Sequence, residues 1–247
     1  MTLKIREIYS PNFDPKPRKN KNIRFLIFHY TGMKKEKEAI QRLTKAQSEV
    51  ATHYFIKRDG EIIRMVPDLY KAWHAGISHW GKYSFLNKHS IGVEVSNPGH
   101  QFGYVNFSKK QIKSLIKLVK ILTKKYKIKK DHILGHSDVS PDRKKDPGEK
   151  FPWKILYKNE IGIWHNLKNV KLSSIRKKTT SIKEVNLFMK NLSKFGYPRK
   201  SIIVKNKRKY KKLLVKAFQR RFRPELINGK IDQECLLILN NLLSKKA

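Results

Sequence analysis

Continuous apolar runs in the first two thirds of the chain are typical of buried strands. They occupy residues 23–28, 90–96 and 132–134. Residues 53–60 and 61–68 add two further strand-like segments that meet at Asp59-Gly60, a dipeptide favoured in tight turns, so these segments are predicted to form a hairpin. The first 20 or so residues are rich in proline, asparagine and charge, which predicts an extended arm before the first buried strand.

A different spacing, with apolar residues every three or four positions, predicts the helices. Ser108 with Gln111 three residues later is a capping-box signature, and the apolar positions that follow predict one amphipathic helix to about Tyr126. A shorter polar helix is expected around residues 36–48. Three more helical segments lie near residues 182–195, 210–222 and 231–243.

This order of elements predicts the fold class and the domain organisation. Strands that alternate with helices predict an α/β domain with a mixed central sheet flanked by helices, and the final helices predict a second, small all-α three-helix domain. The predicted division is an α/β domain at 1–165, a polar linker at 166–181 and the helical domain at 182–247. The pattern leaves the strand order open.

The charge of the chain is high and positive. Among 247 residues, 57 are Lys or Arg and 19 are Asp or Glu, giving a formal net charge of +38. Such a field attracts nucleic acids, anionic membranes or acidic polymers, but the basic residues are 44 lysines and only 13 arginines, spread along the whole chain. Arginine dominates specific recognition of phosphates and bases, so we expect no specific nucleic-acid partner; a general lysine bias is the alternative explanation of the charge.

Other compositional features exclude some classes of protein. Cys235 is the single cysteine, so the chain has no internal disulfide and no cysteine metal cluster. The N-terminus has no apolar core of a signal peptide, and no apolar run is long enough to span a bilayer, so we expect no transmembrane segment. The oligomeric state is not encoded in these patterns, and a monomer is favoured.

Candidate chemistry is placed at strand ends, where α/β folds concentrate their functional residues. His29 and His136 each end a predicted strand, and Asp146 follows ten residues after His136 in a proline-containing loop. Two imidazoles and one carboxylate suit a catalytic zinc site, because zinc with three protein ligands keeps a position for water, whose pKa falls to about 7. This chemistry hydrolyses amides.

Two further charged residues fit such a site. Glu94 interrupts an apolar strand and is the best candidate for a general base, although an ion pair to a buried lysine would also explain it. Lys144, two positions before Asp146, could stabilise negative charge on oxygen, but in so basic a chain the spacing alone is weak evidence.

Five motifs, in one order, resemble the type-2 N-acetylmuramoyl-L-alanine amidases of the AmiD branch, over roughly residues 20–160. They are FHYTG from Phe28, THYFIKRDG from Thr52, AWHAG from Ala72, SIGVEV from Ser90 and GHSDVSPDRKKDPG from Gly135. The resemblance implies zinc on His29, His136 and Asp146, a catalytic Glu94, and a transition-state-stabilising Lys144. The resemblance also implies that five residues line the substrate pocket: Tyr30, Thr31, Trp73, His74 and Asn87. Packing beneath the site is an alternative explanation for each of them. His53, a recurrent histidine of the family, lies on a strand and is expected to orient a neighbour.

The implied activity is zinc-dependent hydrolysis of the amide between N-acetylmuramic acid and L-alanine in peptidoglycan or its muropeptides. The C-terminal part, with FQRRFRP and NGKID, resembles a three-helix peptidoglycan-binding domain, and its net charge of +14 over residues 182–247 could hold it against peptide-stem carboxylates. Two other classes stay open: a related binding protein without catalysis, and a nucleic-acid binder, which would show steep salt dependence.

The resemblance leaves substrate form and location open. Intact wall, released fragments and 1,6-anhydro muropeptides are all compatible with it. A wall substrate implies the bacterial envelope, at the periplasmic peptidoglycan layer, whereas the absence of a recognisable signal peptide permits a cytoplasmic recycling role.

Overall fold

A mixed six-stranded sheet lies at the centre of the computed structural model, which describes residues 3–245. The strands are β1 (Ile5–Glu7), β2 (Phe13–Asp14), β3 (Phe25–Tyr30), β4 (Tyr54–Ile56), β5 (Ile62–Arg64), β6 (Lys71–Ala72), β7 (His79–Trp80), β8 (Tyr83–Ser84), β9 (Ser90–Val95) and β10 (Ile133–Gly135). The helices are α1 (Glu36–Thr44), α2 (Lys109–Tyr126), α3 (His136–Val139), α4 (Trp153–Lys158), α5 (Asn169–Ile175), α6 (Ile182–Phe195), α7 (Lys207–Phe222) and α8 (Gln233–Ser244). The predicted fold class is confirmed.

The strand order of the central sheet is β1-β5-β4-β9-β3-β10. The β4–β5 pair is antiparallel, as the hairpin prediction requires, and the other neighbouring pairs are parallel. The strands β3, β9 and β10 carry the continuous apolar runs because both faces of a parallel sheet are covered. The predicted N-terminal arm is partly wrong: β1 lies within it and pairs with β5, so the arm contributes a strand to the sheet.

Alternate residues of the hairpin strands pack against different helices. Tyr54 and Ile56 belong to the main core together with apolar residues of α2, whereas Phe55 packs in a second cluster with Ala39 and Leu43 of α1. This alternation follows from the two-residue period of a strand. The α1 side of the sheet is the side on which the candidate site lies.

The predicted capping box of α2 is present and ties the helix to the sheet. The Ser108 hydroxyl accepts the Gln111 backbone N–H, and the Gln111 side chain accepts the Ser108 N–H. The Gln111 amide also donates to the Ser96 carbonyl at 2.7 Å, directly after β9. Ser114 donates to the Gly60 carbonyl of the hairpin turn, so α2 is held against both β9 and the turn.

The three C-terminal helices are confirmed, and they pack against the sheet domain through buried side chains. Trp80 lies with its ring centroid 4.9 Å from that of Tyr197. Arg221 of α7 is fully buried and donates to Asp138 at 2.5 Å and to the Ile133 carbonyl at 2.9 Å. The Tyr197 hydroxyl donates to the other carboxylate oxygen of Asp138 at 2.6 Å. These contacts fix α3, the helix that begins with His136.

The segment 166–181, predicted as a linker, contains helix α5 and is joined to α8. Arg176 forms a bidentate hydrogen-bonded pair with the buried Glu234 at 2.8 and 2.9 Å. One apolar core continues from the sheet into the C-terminal helices. The boundaries at 165 and 181 stay a prediction, and these contacts favour cooperative unfolding, since breaking a buried pair such as Arg221 with Asp138 costs about 3–5 kcal/mol.

No helix between residues 3 and 245 combines the length and the apolar character that a membrane crossing needs.

Candidate metal centre and active site

Three buried side chains meet at the carboxyl ends of β3 and β10. The Nδ1 atoms of His29 and His136 lie 2.9 Å apart, and Oδ2 of Asp146 lies 3.1 and 2.9 Å from them. Of the residues described, these alone form a group of three His, Cys, Asp or Glu side chains able to share one metal ion. The structure therefore brings together the three predicted ligands.

Sheet pairing and the clamped helix α3 produce this convergence. His29 is near the end of β3, and His136 follows directly after β10, the neighbouring parallel strand. The Ser137 backbone N–H donates to the Asp146 carbonyl at 2.8 Å, which holds the loop of Asp146 against α3. The carboxyl ends of parallel strands meet at one edge, so residues 107 positions apart in the chain become neighbours.

The protonation states of these groups suit a cation. Burial, and then the neighbouring His136, lowers the pKa of His29 to about 4. Burial alone would raise the pKa of Asp146, but the two imidazoles outweigh it and hold that pKa well below its usual range. The Nε2 of His136 lies 3.2 Å from the Ala75 carbonyl, which can only accept, so Nε2 carries a proton and Nδ1 is the His136 nitrogen left to bind a metal. This donor set fits zinc.

Glu94 is placed beside the three donors by strand register. It pairs with His29 across β9 and β3, and paired residues point to the same face of a sheet. Its Oε2 atom is buried and finds no hydrogen-bond partner among residues 3–245. Burial, and then the charge of Asp146, raises the pKa of Glu94 to about 8, against the opposing effect of Lys144. Among the residues described, Glu94 thus has no ion pair to a buried lysine at Oε2, which argues against the alternative explanation considered from the sequence.

A cavity of about 490 Å³ opens above these groups. Tyr30, Thr31, His74 and Lys144, all of them predicted site residues, line it together with Glu94 and the three donors. Basic side chains that the sequence reasoning missed also line the cavity: Arg42, His100, Arg143 and Lys145. His100 carried a usable signal, because it follows the carboxyl end of β9, whereas Arg42 is brought in by the packing of α1.

Two predicted substrate-pocket residues are not among those that line this cavity, and both form hydrogen bonds within the protein. The Trp73 indole N–H donates to Asp14 at 2.8 Å. The Asn87 side-chain oxygen accepts the backbone N–H groups of His74 and Ala75 at 3.3 and 2.7 Å. These contacts fit the alternative explanation, packing beneath the site, and a role of the two residues in substrate binding stays a prediction.

His53 acts as predicted, by holding neighbours and not by approaching the donors. Its Nδ1 accepts the Gly92 backbone N–H at 3.0 Å, and its Nε2 lies 3.0 Å from the Tyr70 carbonyl. Burial lowers the pKa of His53 to about 3, so the ring is neutral and packs edge-on against His74.

One wall of the cavity is connected to the C-terminal helices. The Tyr30 hydroxyl lies 2.8 Å from Nδ1 of His100, and the His100 Nε2 lies 3.1 Å from Glu149. Glu149 in turn lies 3.7 Å from the Arg220 guanidinium of α7. The helical module thus supports the wall beside the first donor.

Comparisons with known proteins agree with this geometry. Residues 19–149 match the family model described as N-acetylmuramoyl-L-alanine amidase. The chain is 33% identical to AmiD of Escherichia coli K12 over 90% of its own length and 83% of that protein. It is 34% identical to the 1,6-anhydro-N-acetylmuramyl-L-alanine amidase AmpD of Haemophilus influenzae over 60% of the chain and 88% of that protein.

Solved structures give the same result across both parts of the chain. The complex of E. coli AmiD with anhydro-N-acetylmuramic acid-L-Ala-D-γ-Glu-L-Lys superposes with a TM-score of 0.80 at 32% identity, covering 91% of this chain and 90% of that one. Pseudomonas aeruginosa AmpDh3 in complex with anhydromuramic pentapeptide superposes with a TM-score of 0.78 at 29% identity, covering 94% of each chain.

Proposed function

The chain belongs to the N-acetylmuramoyl-L-alanine amidase family, and from that membership and its site we propose that it is a zinc-dependent hydrolase of the amide between N-acetylmuramic acid and L-alanine. The observation that carries the proposal is the convergence of His29, His136 and Asp146 beside the Glu94 carboxyl, whose Oε2 atom is buried. The relatives AmiD and AmpDh3, bound to anhydromuramyl peptides, support this class of substrate.

Zinc is the cofactor that the donor set favours. Two imidazole nitrogens and one carboxylate oxygen form a frequent three-ligand arrangement for this ion in hydrolases. A zinc ion held there would supply Lewis acidity, which polarises the scissile carbonyl and acidifies water.

Glu94 is the group that moves the proton. Its carboxylate takes a proton from the attacking water, so that the water oxygen forms a bond to the lactyl carbonyl carbon. The same carboxyl then gives that proton to the alanine nitrogen as the carbon–nitrogen bond breaks, leaving a lactyl carboxylic acid and a free amine. Transfer of the acid's proton to the amine then gives the lactyl carboxylate and an ammonium group. A pKa of about 8 suits a group that must accept and release a proton near neutral pH.

Lys144 supplies positive charge to the same space. It lines the cavity beside Glu94 and Asp146, and its charge acts on the Glu94 carboxyl. Positive charge in this position would compensate the negative charge that develops on the carbonyl oxygen. Tyr30 and Thr31, which line the cavity, are the substrate contacts proposed among the predicted positions.

The activity is tested with a soluble muropeptide. Zinc-loaded protein and anhydro-N-acetylmuramic acid-L-Ala-D-γ-Glu-L-Lys should yield the free sugar acid and a peptide that begins with L-alanine, both identified by mass spectrometry. A family member that only binds would leave the substrate intact, and the complete donor set argues against that second candidate.

We further propose that the C-terminal helices bind peptidoglycan through carboxylates of the peptide stems. A groove of about 660 Å³ lies between α7 and the loop before α8, and its basic lining residues are Arg208, Lys209, Lys211, Lys212 and Lys230. These cations attract carboxylates at a polymer surface, and the attraction weakens with salt.

Reversing two charges in this groove should weaken wall binding without changing the chemical step. For the double variant Arg208→Glu and Lys212→Glu, we expect less protein to sediment with insoluble sacculi, and unchanged turnover of the soluble muropeptide. The control reverses the exposed Lys113 and Lys117 of α2, which gives the same net charge elsewhere. Equal loss of binding in both double variants would assign the effect to overall charge and remove the groove from the proposal.

The location of the protein in the cell is a proposal that depends on the form of its substrate. A wall substrate places the enzyme at the envelope, in the periplasmic peptidoglycan layer, whereas released muropeptides place it in the cytoplasm. Fractionation of producing cells separates these two alternatives, and sedimentation of the purified protein tests the expected monomer.

A further inference from the structure

Behind His29, on the side away from Asp146, a chain of polar groups leads to a backbone carbonyl and has no part in the proton transfers above. Nε2 of His29 lies 3.1 Å from Nδ1 of His74. Nε2 of His74 lies 3.1 Å from the Ser90 hydroxyl oxygen, and that hydroxyl lies 2.6 Å from the Leu86 carbonyl oxygen. All three side chains are buried.

The hydrogen bonds of this chain have one consistent direction. The Leu86 carbonyl can only accept, so the single hydroxyl proton of Ser90 is donated to it. Ser90 must then accept from His74, which places the His74 proton on Nε2 and leaves Nδ1 as an acceptor. His74 Nδ1 accepts in turn from His29, so the His29 proton lies on Nε2.

We propose that His74 and Ser90 are positioning residues that fix the tautomer of His29, so that its Nδ1 lone pair faces His136 and Asp146. The inference rests on the proposed zinc function, because a metal ligand must present an unprotonated nitrogen. His136 has the simpler arrangement, with its Nε2 against the Ala75 carbonyl. The Leu86 and Ala75 backbone carbonyls thus determine which nitrogen carries the proton in His29 and in His136, respectively.

The surroundings of His74 are built to hold its ring in this place. Gly92 of β9 leaves the necessary room, since a Cβ atom there would lie only 2.5 Å from Cγ of His74. The His53 ring packs edge-on against it with centroids 5.5 Å apart, and Asn87 accepts the His74 backbone N–H.

Ser90→Ala tests the far end of the chain without touching a donor to the metal. It removes the acceptor of the His74 N–H, so His74 no longer has a preferred tautomer and His29 can carry its proton on Nδ1. We expect zinc affinity, measured by competition with a chromophoric chelator, to fall by roughly 10- to 100-fold. Ser10→Ala is the matched control, because the buried Ser10 hydroxyl also donates to a carbonyl, that of Leu43, and its hydrogen bonds within residues 3–245 involve no histidine.

A pair of variants at position 74 tests the acceptor itself. Leucine and asparagine have the same shape, but only the asparagine oxygen can accept the His29 N–H. His74→Leu should weaken zinc binding at least as much as Ser90→Ala, and His74→Asn should bind zinc more tightly than His74→Leu. A purely structural role of His74 would not separate these two variants.

Long-range proton–nitrogen correlation spectra of the imidazoles give the direct readout. In the zinc-free protein, the His29 proton should lie on Nε2, and in Ser90→Ala the spectrum should show both tautomers. The proposal is overturned if folded Ser90→Ala keeps the wild-type zinc affinity and the wild-type tautomer of His29. Absence of zinc binding in the wild-type protein would instead contradict the proposed function itself.

Discussion

Replacing His29 with alanine should remove the metal and lower the activity by more than about 1,000-fold. His29 supplies one of the three donors, and a catalytic zinc ion is normally held by three protein ligands, so the two that remain should not retain it. The variant would lose carbonyl polarisation and water activation, which together represent several kcal/mol of transition-state stabilisation. Each loss of about 1.4 kcal/mol lowers the rate tenfold.

The measurement is zinc content by atomic absorption together with kcat/KM on the soluble muropeptide. His79→Ala is the control, since His79 lies on β7 and is not among the residues lining the cavity. Thermal melts establish that both variants are folded. Full zinc occupancy with full activity in His29→Ala would mean that the metal site is misassigned.

Replacing Glu94 with glutamine should separate metal binding from catalysis. Glutamine keeps the size of the side chain but cannot take the proton of the attacking water, so we expect the rate to fall by on the order of 100-fold or more. Zinc content should stay at the wild-type value, because Glu94 is not one of the three converging donors. Stability should not fall, since burial already disfavours the Glu94 carboxylate and raises its pKa.

The control for this variant is Glu61→Gln, which alters a carboxylate in the β4–β5 hairpin whose ion-pair partners are Lys57 and Arg6. Its turnover should match that of the wild-type protein. Two outcomes contradict the assignment of Glu94. Wild-type turnover in Glu94→Gln would exclude it as the proton carrier, and loss of zinc would identify it as a ligand.

The sequence allowed His29, His136 and Glu94 to be proposed as site residues because each breaks a strong local pattern. His29 and His136 stand where apolar runs end, and Glu94 is a charge within such a run. The pattern did not show that these residues are neighbours in space. Glu94 lies beside His29 only because β9 pairs with β3, and the pairing of distant strands depends on the whole sheet.

The rest of the site depends on tertiary packing and left little local signal. Ser90 is an ordinary serine at the start of a strand, and its connection to His29 through His74 requires residues from two separate segments to meet. Arg221 resembles the other basic residues of a helix rich in lysine and arginine, yet it is buried against Asp138. In a chain with 57 basic residues, composition does not distinguish the buried ones from those in solvent.

The roles of the two parts of the chain are linked by the same packing. Tyr197 and Arg221 of the C-terminal part hold Asp138 in α3, which begins with the donor His136. Arg220 reaches Glu149 at the end of the chain of contacts that leads to Tyr30. The helical module therefore supports the active site as well as carrying the groove proposed to bind the wall.

Hydrolysis in isotopically labelled water tests the central claim most directly. Zinc-loaded protein is incubated with anhydro-N-acetylmuramic acid-L-Ala-D-γ-Glu-L-Lys in water enriched in heavy oxygen, and the products are analysed by mass spectrometry. The account predicts one heavy oxygen in the lactyl carboxylate of the sugar and an unlabelled tripeptide that begins with L-alanine. Intact substrate would contradict it, and so would heavy oxygen in a product formed by hydrolysis of any other bond of the sugar or peptide.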